Sequence, residues 1–519
     1  MATWTMVSRV TGLIRIVAIG AVLGPTYLGN TFLAVNQFPN LTFQALTGSL
    51  LPMMLVPLLV GHIDVDDRES AARIAGGFLG LAMATFAVLT VVLVAAGPLI
   101  LRLLTAGVAS STVAGAQERA GWVLMATVMP QVVLYGIAGT GEAVMNARGK
   151  FALAAAAPAF ENVGVIVVMA LTGLVYGAGR GVGQAPGGEL LLLGLGSTGA
   201  VVLHAGAQWW GARRVGVTLI PRLGWRDPEV RARARRMLPS FGYAALNSLR
   251  YFGMLIVANR VPGGVVAFQL ALNFVFLPVG LGAWPISVAM LPQLSRLYLA
   301  GAAQRFRDEV VKGANLTFFL IVPAVAGYVV LAHALARVVA YGEMSTGFGI
   351  ALIAASLASL AVGMLGEAGS VIGTHAAYAR QDVRSPFHSM VVRIVVSGVG
   401  MLVALFFVHG TAVLALLGLS VSAGNIAGAV QLGGVLRAQL PPRGEGLWLG
   451  LVRAGGASAV MVGPVYACSR YLPQLLTSRL ALVVTVVGGL LTYLGLQRTW
   501  RSPELGALRA GAGHLLGRP

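Results

Sequence analysis

Long apolar stretches, separated by short polar or Pro/Gly-rich breaks, run along almost the whole chain. Each stretch is about 20 residues long, which is the length an α-helix needs to cross the hydrocarbon core of a membrane. The pattern predicts an all-α polytopic membrane protein with about 14 transmembrane helices. Their approximate bounds are 5–24, 31–60, 73–100, 119–143, 152–176, 189–212, 237–259, 265–295, 313–338, 348–374, 387–408, 411–436, 447–468 and 475–497.

Arginines are distributed unevenly among the segments that join these stretches. Eight lie in the segment 213–236, and three arginines with one lysine lie in the segment 296–312. The segments that alternate with these carry mostly one arginine each. Because cytoplasmic loops of membrane proteins are enriched in Lys and Arg, the segment 213–236 is predicted to be cytoplasmic. With an even number of spans, both termini are predicted to lie in the cytoplasm, and the protein in the cytoplasmic membrane.

The composition agrees with this class and excludes several others. Of 519 residues, 57% are hydrophobic and 10% are charged, whereas a soluble protein has about 25% charged residues. The net charge of +19 comes from the joining segments, so it indicates topology and not a nucleic-acid partner. A single cysteine, Cys468, excludes a disulfide within the chain. No catalytic, nucleotide-binding or metal-ligand motif is present, so we expect no enzyme activity and no cofactor.

A weak internal repeat divides the chain. Ala147-Arg148 and Ala379-Arg380 each follow an apolar helix and lie 232 positions apart, and Pro57 and Pro292 form a second pair at a similar spacing. Such pairs predict two homologous six-helix lobes in the same orientation. The predicted domains are the lobes 1–212 and 237–440, the basic cytoplasmic loop 213–236, two additional transmembrane helices in 441–497, and a basic cytoplasmic tail, 498–519.

Arginines also occur inside two of the apolar stretches. Arg9 and Arg15 lie in the first stretch, and Arg250 lies in the seventh. An arginine at the centre of a bilayer costs about 2.5 kcal/mol or more, so it usually faces a cavity or a partner. Guanidinium groups bind phosphates through paired hydrogen bonds and keep their charge when desolvated. We predict an anion site at Arg15, which has no acid in its own stretch, with Arg9 and Arg250 as helpers.

Each arginine also has a structural interpretation. Arg9 can extend along its helix to the cytoplasmic surface, and Arg250 can form an ion pair with a buried acid. An ion pair of that kind would make the role of Arg15 structural as well. The acids at membrane depth are Glu142, Glu161 and Glu367, and bracing of neighbouring helices is expected of the first and third.

Prolines and glycines inside the apolar stretches predict local features. Pro39, Pro278 and Pro285 are expected to break or bend their helices, because proline removes a helix hydrogen bond and clashes with the preceding turn. Cavity-lining helices are often broken in this way. Gly76 and Gly80 are expected to let helices pack closely and not to bind phosphate.

Several ordered motifs resemble those of a known family. They are Ser8-Arg9-x-x-Gly12-x-x-Arg15, Phe38-Pro39-Asn40-Leu41, Asn146 to Phe151 followed by Ala157-Pro158 and Asn162, Leu291-Pro292-Gln293-Leu294-Ser295, Ala340-Tyr341-Gly342, and Tyr378 to Pro386. Together they resemble the MurJ/MviN family, the lipid II flippases within the multidrug/oligosaccharidyl-lipid/polysaccharide exporter superfamily. The resemblance implies a two-lobed transporter whose central cationic cavity opens alternately to each side. It also implies a substrate in which a sugar-peptide is linked to undecaprenyl pyrophosphate.

The chain departs from the family at several positions of that cavity. Where the family usually has charged residues, this chain has Ile16, Asn30, Gln37, Phe43 and Leu272-Asn273. The resemblance places substrate contacts at Asn30, Gln37 and Asn273, in addition to the three arginines.

The favoured function is a flippase that moves lipid II across the cytoplasmic membrane by alternating access. One alternative is an exporter of another lipid-linked glycan, and another is a transport-inactive scaffold that recruits cell-wall synthesis enzymes. A cation-coupled drug exporter is less favoured, since it would need acids in the predicted cavity. The expected partners are an anionic lipid-linked precursor and membrane lipids.

A cysteine introduced into the segment 213–236 tests the predicted orientation. Because that segment is predicted to be cytoplasmic, the new thiol should resist an impermeant reagent added outside intact cells. Efficient labelling from outside would reverse the assignment of the six preceding spans.

Overall fold

The structure, a computed structural model, describes residues 2–47, 56, 60, 68–222, 228–441 and 447–508, and all regular secondary structure in these residues is helical. The helices are α1 Ala2–Leu23, α2 Tyr27–Thr47, α3 Arg68–Ala95, α4 Gly97–Thr105, α5 Ser111–Val128, α6 Gln131–Ala147, α7 Phe151–Tyr176, α8 Gly187–Arg214, α9 Pro228–Ala258, α10 Gly264–Leu281, α11 Ala283–Leu299, α12 Ala303–Val339, α13 Gly347–Ala361, α14 Gly363–Ala379, α15 Arg384–Phe407, α16 Ala412–Gln439, α17 Leu447–Tyr471 and α18 Ser478–Thr499. Short 3₁₀-helices lie at Val182–Gln184, Gly342–Ser345 and Leu472–Gln474.

Within the described residues, eleven helical segments are long and apolar enough to cross a membrane. The pair α13 and α14, bent by 44°, makes a twelfth if it is one span. The predicted class, an all-α polytopic membrane protein, is confirmed. The helices α2 and α9 occupy the two remaining places where the sequence predicts a span, but neither is among these segments. The count of about 14 therefore stays a prediction.

The predicted helix breaks at prolines occur at one of two places. The predicted span 265–295 is interrupted at Gly282, between Pro278 and Pro285, so the expected break is confirmed. The expectation that Pro39 breaks its helix is wrong, because α2 continues through it. A single missing backbone hydrogen bond is tolerated where neighbouring helices support a membrane helix.

Contacts divide the chain into two compact units. The first contains Met1–Ala267 and Tyr341–Gly349, and the second contains Phe268–Ala340 and Ile350–Pro519. These units differ from the predicted lobes, since α9 belongs to the first unit. The lobes were predicted from a sequence repeat, which a division by contacts does not test, so the predicted domain bounds stay a prediction.

Two helix ends at repeat-related positions share the same local structure. The end of α6 has Gly149 at a φ of +67°, and the end of α14 has Gln381, 232 positions later, at a φ of +60°. In each turn the following residue donates its N–H to the carbonyl five positions earlier, at 2.9 Å. This is a Schellman ending, in which a left-handed residue closes the helix.

The second of these turns also begins the next helix. Asp382 accepts hydrogen bonds from the N–H groups of Arg384 at 2.9 Å and Ser385 at 3.0 Å. Burial alone would raise the pKa of Asp382, but the hydrogen bonds from Ser385 and Arg384 and the charge of Arg380 together lower it. At pH values above the unfolded-state pKa of Asp382, the ionised carboxylate therefore stabilises the first turn of α15. This stabilisation is lost as the pH falls through the lower, folded-state pKa.

Close backbone contact explains the glycines of α3. The N–H of Arg222 donates to the carbonyl of Gly76 at 2.9 Å, and a Cβ on Gly80 would lie 1.9 Å from the carbonyl oxygen of Arg222. The chain after α8 therefore lies directly on α3, where Val217 and Leu219 join a core formed by α3, α6 and α8. Gly76 and Gly80 thus allow close packing, as predicted, but their neighbour is the non-helical chain at 220–222 and not another helix.

The basic segment predicted as a loop is partly helical. α8 continues to Arg214 and α9 begins at Pro228, so both helices extend into the predicted loop 213–236. Arginine is a good helix former, which lets a helix continue past its apolar stretch. Pro57, Arg226 and the tail after residue 508 lie outside the described residues.

In the second unit, the two additional helices predicted near the C-terminus pack on α12. The hydroxyl of Tyr493 on α18 donates to the carbonyl of Phe319 at 2.8 Å, and the two rings lie 5.3 Å apart. Met461 and Val465 of α17 join the same core. Both helices thus belong to the core of the second unit.

Replacement of Gly80 by alanine should lower the melting temperature of the purified protein in detergent. The added methyl would overlap the Arg222 carbonyl, and overpacking of this kind typically costs about 1–3 kcal/mol. Gly199→Ala in α8 is the matched control, because nothing lies within 4 Å of its added Cβ. The control should melt at the wild-type temperature or above it, since alanine favours a helix. Equal melting temperatures for the two variants would contradict the close contact at Gly80.

Candidate functional site

Both arginines of α1 lie on the long apolar first helix, but their surroundings differ. Arg9 is exposed and makes no hydrogen bond or ion pair with the described residues. Arg15 lies further along and its side chain is 19% exposed. Six residues correspond to about one and two-thirds turns, so the two side chains point in different directions around the helix. The structure therefore does not bring Arg9 and Arg15 together as one site.

A buried carboxylate on α7 binds Arg15. The Nη1 of Arg15 lies 3.1 Å from Oε1 of Glu161, which also accepts a hydrogen bond of 3.1 Å from the hydroxyl of Tyr135 on α6. The other carboxylate oxygen, Oε2, lies 3.0 Å from Nδ1 of His204 on α8. The side chains of Glu161 and His204 are 13% and 11% exposed. Three helices thus direct polar groups at one carboxylate of a fourth, and we call Arg15, Tyr135, Glu161 and His204 the Glu161 cluster.

Small residues bring these helices together. A Cβ on Gly164 of α7 would lie 2.6 Å from the Cβ of Ala200 on α8, so the two helices are in close contact. On the other side of α7, Asn162 donates from Nδ2 to the carbonyl of Ser8 and to Oγ1 of Thr11, each at 3.1 Å. Because Asn162 is next to Glu161, the same contact that fixes α7 against α1 positions the carboxylate.

Arg15 has no acid in its own stretch, but the structure gives it an acidic partner, which is the structural alternative stated above. Its partner comes from α7, 146 residues further along the chain, and the stretch around Arg15 gave no sign of it. By the criterion given in the sequence analysis, this ion pair favours a structural role for Arg15. Even so, Arg15 donates only from Nη1 to Glu161, and its buried Nε has no hydrogen-bond partner among the described residues. The guanidinium therefore retains donor capacity, and its role toward an anion stays a prediction.

Arg250 lies on α9 in the first unit and is buried. Two contacts hold this part of α9 against α2: the hydroxyl of Ser248 donates to the carbonyl of Leu41 at 3.1 Å, and the rings of Phe38 and Phe252 meet edge-on at 5.6 Å. Ser248 and Phe252 share one face of α9, and Arg250 lies on the opposite face, because two residues correspond to about 200° around a helix. Both interpretations of Arg250, an anion ligand and a structural partner, stay open.

Asn30 serves the fold. It is fully buried, and its Nδ2 donates to the carbonyl of Val261 at 2.8 Å while its Oδ1 accepts from the N–H of Val265 at 3.0 Å. Both functional groups of the amide therefore fix the turn between α9 and α10. The substrate contact that the resemblance implies for Asn30 stays a prediction.

The other two residues placed in the site by resemblance are half-buried. Gln37 on α2 makes no hydrogen bond with the described residues. Asn273, on α10 in the second unit, donates from Nδ2 to the carbonyl of Gln269 in its own helix at 2.9 Å. These surroundings assign no function to either residue, so the substrate contacts of Gln37 and Asn273 stay predictions.

The second unit has a buried polar cluster at repeat-related positions. Nη2 of Arg393 on α15 contacts Oε2 of Glu367 on α14, and it donates to Oδ1 of Asn425 on α16 at 2.7 Å. Glu367 and Arg393 lie 232 positions after Tyr135 and Glu161. The same two positions are therefore joined by a polar contact in both repeats. The acid is at the second position in the first repeat, Glu161, and at the first position in the second repeat, Glu367. This contact is the bracing of neighbouring helices that we expected of Glu367.

Sequence reasoning missed Tyr135 and His204. His204 lies in the middle of an apolar stretch, and an ionisable residue at that depth is itself a sign of function. The hydroxyl of Tyr135 gives no comparable signal, because tyrosine is common in membrane helices.

Long apolar helices with ion pairs enclosed among them define a multi-pass membrane protein, and charged groups at that depth are typical of transporters. The profile of the family described as lipid II flippase MurJ matches residues 19–486. The chain belongs to this family, as its motifs indicated.

Proteins described as probable lipid II flippases MurJ are similar to this chain over most of its length. The probable lipid II flippase MurJ of Bdellovibrio bacteriovorus is 27% identical over 377 residues, which is 70% of this chain and 68% of that protein. The probable lipid II flippase MurJ of Rhizobium tropici is 24% identical over 397 residues, which is 76% of this chain and 72% of that protein.

Solved structures share the fold. A structure of lipid II flippase MurJ in an inward closed conformation matches with a TM-score of 0.76 at 16% identity, covering 96% of this chain and 98% of that one. An inward-facing MATE family multidrug resistance transporter of the MOP superfamily matches with a TM-score of 0.65 at 16% identity, covering 85% and 94%. The chain therefore has the fold of these transporters.

A double-mutant cycle with Arg15→Met and Glu161→Met should show strong coupling. Either single change leaves a buried charge without its partner, which typically costs about 3–5 kcal/mol. The double variant removes both charges, so its melting temperature should lie above that of at least one single variant. Purely additive decreases would show that the two side chains do not interact in the folded protein.

Proposed function

We propose that this protein moves lipid II, a polyprenyl-pyrophosphate-linked peptidoglycan precursor, across the cytoplasmic membrane by alternating access. The observation that carries the proposal is membership of the lipid II flippase family over residues 19–486. The structural support is a half-buried arginine, Arg15, at the position of the family's second arginine in the first helix.

Arg15 supplies the chemistry that a pyrophosphate needs. Its buried Nε makes no hydrogen bond with the described residues, and Glu161 engages only Nη1. A pyrophosphate oxygen could accept from the remaining donors, and two oxygens could be held at once by the planar guanidinium. Without substrate, Glu161 neutralises the arginine, which keeps a lone cation out of the membrane interior.

Transport of this kind needs binding and release and no bond cleavage, so we propose no enzyme activity and no cofactor. We also propose cytoplasmic termini, because the arginine-rich segments alternate in the way that the positive-inside rule requires.

The second candidate is a transport-inactive scaffold for cell-wall synthesis enzymes. Two observations favour it: Arg15 has an acidic partner, and both polar groups of Asn30 are used by the fold. Compared with the family pattern, fewer polar groups then remain for an anion. Transport in living cells separates the two candidates.

Cells depleted of their essential MurJ-type flippase provide that test. Expression of this chain should restore growth and prevent lysis. Lysis despite normal amounts of the protein in the membrane would contradict the proposal and favour the scaffold or an exporter of another lipid-linked glycan.

Variants of Arg15 should separate charge from geometry in the same cells. Arg15→Ala should abolish rescue at near-normal membrane levels. Arg15→Lys keeps a cation for Glu161 but loses the planar pair of donors. Loss of one charge-assisted hydrogen bond costs about 1.5–3 kcal/mol, which is a roughly tenfold to hundredfold loss of affinity. Arg102→Ala, which removes an exposed arginine, is the control and should rescue fully. Full rescue by Arg15→Ala would exclude Arg15 from the anion site.

A further inference from the structure

The Glu161 cluster contains a histidine that neither the ion pair nor the anion site requires. Nδ1 of His204 lies 3.0 Å from Oε2 of Glu161, on the opposite side of the carboxylate from Arg15. Neutral imidazole would leave one positive and one negative charge in the cluster. A proton added to the imidazole would give the cluster a net charge of +1.

The groups around this pair come from every helix packed against it. Arg15 approaches from α1, Tyr135 from α6 and His204 from α8, and Glu142 on α6 interacts electrostatically with His204. The rings of Tyr135 and His204 lie 6.4 Å apart, edge to face. The pair of Glu161 and His204 therefore lies between a cation, Arg15, and a second acid, Glu142.

We propose that Glu161 and His204 hold one exchangeable proton, and that this proton controls whether Arg15 is bound to Glu161 or to an anion. The proton binds to the imidazole and is shared from Nδ1 to Oε2 of Glu161, so that no other bond forms or breaks. A carboxylate that shares this proton attracts Arg15 less. The guanidinium then binds a pyrophosphate with its Nη1 as well as its Nε.

This proposal rests on the proposed function and adds a proton-dependent switch to its anion site. A bound anion places negative charge beside the cluster, which favours the proton, and the proton in turn favours the anion. Linkage requires the two effects to be equal. The site therefore binds the lipid-linked anion more tightly when it holds the proton.

The first test needs no substrate. Histidine changes its charge between about pH 5 and about pH 8, so we compare proton binding over this range for the purified wild type, Glu161→Gln, His204→Gln and the double variant. Each single variant should bind about one proton fewer than the wild type, and the double variant no fewer than the single ones, because the pair titrates as a unit. Glu161→Asp, which keeps a carboxylate, should retain the proton.

If Glu161→Gln binds as many protons as the wild type, or if the double variant loses two, the shared proton does not exist. Glu189→Gln is the matched control, since Glu189 is also a buried glutamate of the first unit beside an arginine, Arg180. It should leave the proton attributed to His204 in place.

The second test uses undecaprenyl pyrophosphate as the probe. Its affinity for the wild type should increase toward low pH by up to about tenfold per pH unit, the limit for one linked proton. The terminal phosphate of the probe itself titrates at about pH 6, so His204→Gln should show only the pH dependence that comes from the probe, and Glu189→Gln should keep the full wild-type dependence. Binding by the wild type that varies with pH no more than binding by His204→Gln would overturn the coupling.

The two tests fail separately. A proton shared by Glu161 and His204, without binding of undecaprenyl pyrophosphate at any pH, would support the proton site and refute the proposed function. Binding of the probe without a shared proton would support the function and refute this inference.

Discussion

The interior of the first unit depends on one carboxylate, Glu161, that pairs with a half-buried arginine, Arg15. A guanidinium inside a membrane protein needs a partner, because the surrounding hydrocarbon offers no hydrogen bonds. Glu161 meets that need for Arg15 at 3.1 Å, and it can do so because Asn162 and Gly164 fix α7 closely against α1 and α8. The ion pair and the helix packing are therefore one structural solution: loss of either would leave the charge without its partner.

The two repeats pair their enclosed charges in different ways. At equivalent positions, the first unit has Tyr135 and Glu161, and the second has Glu367 and Arg393. In the second unit the acid and the arginine both come from the repeated positions. In the first unit the repeated positions supply only the acid and a neutral donor, and the cation comes from α1. The arginine of the first unit thus lies outside the repeated pair, which is the arrangement in which a cation can exchange an internal carboxylate for a substrate anion.

Much of the fold follows from the sequence, since membrane helices are dictated by the length and hydrophobicity of single stretches. The break between Pro278 and Pro285 and the close packing at Gly80 have local causes, so they could be predicted. The site was predicted less well. Glu161 was recognised as an acid at membrane depth, but its contact with Arg15 depends on how two distant helices pack. Asn30 was assigned to the site by resemblance, whereas in the structure its side chain bonds to the turn between α9 and α10.

The interpretation of Arg15 as an exchangeable cation has a direct test in the structure of this protein with its lipid-linked precursor bound. The account predicts that the pyrophosphate accepts hydrogen bonds from Arg15, and that Nη1 of Arg15 has moved away from Oε1 of Glu161. A bound precursor whose phosphates are held elsewhere, with the pair between Arg15 and Glu161 still closed at its distance of 3.1 Å, would contradict it.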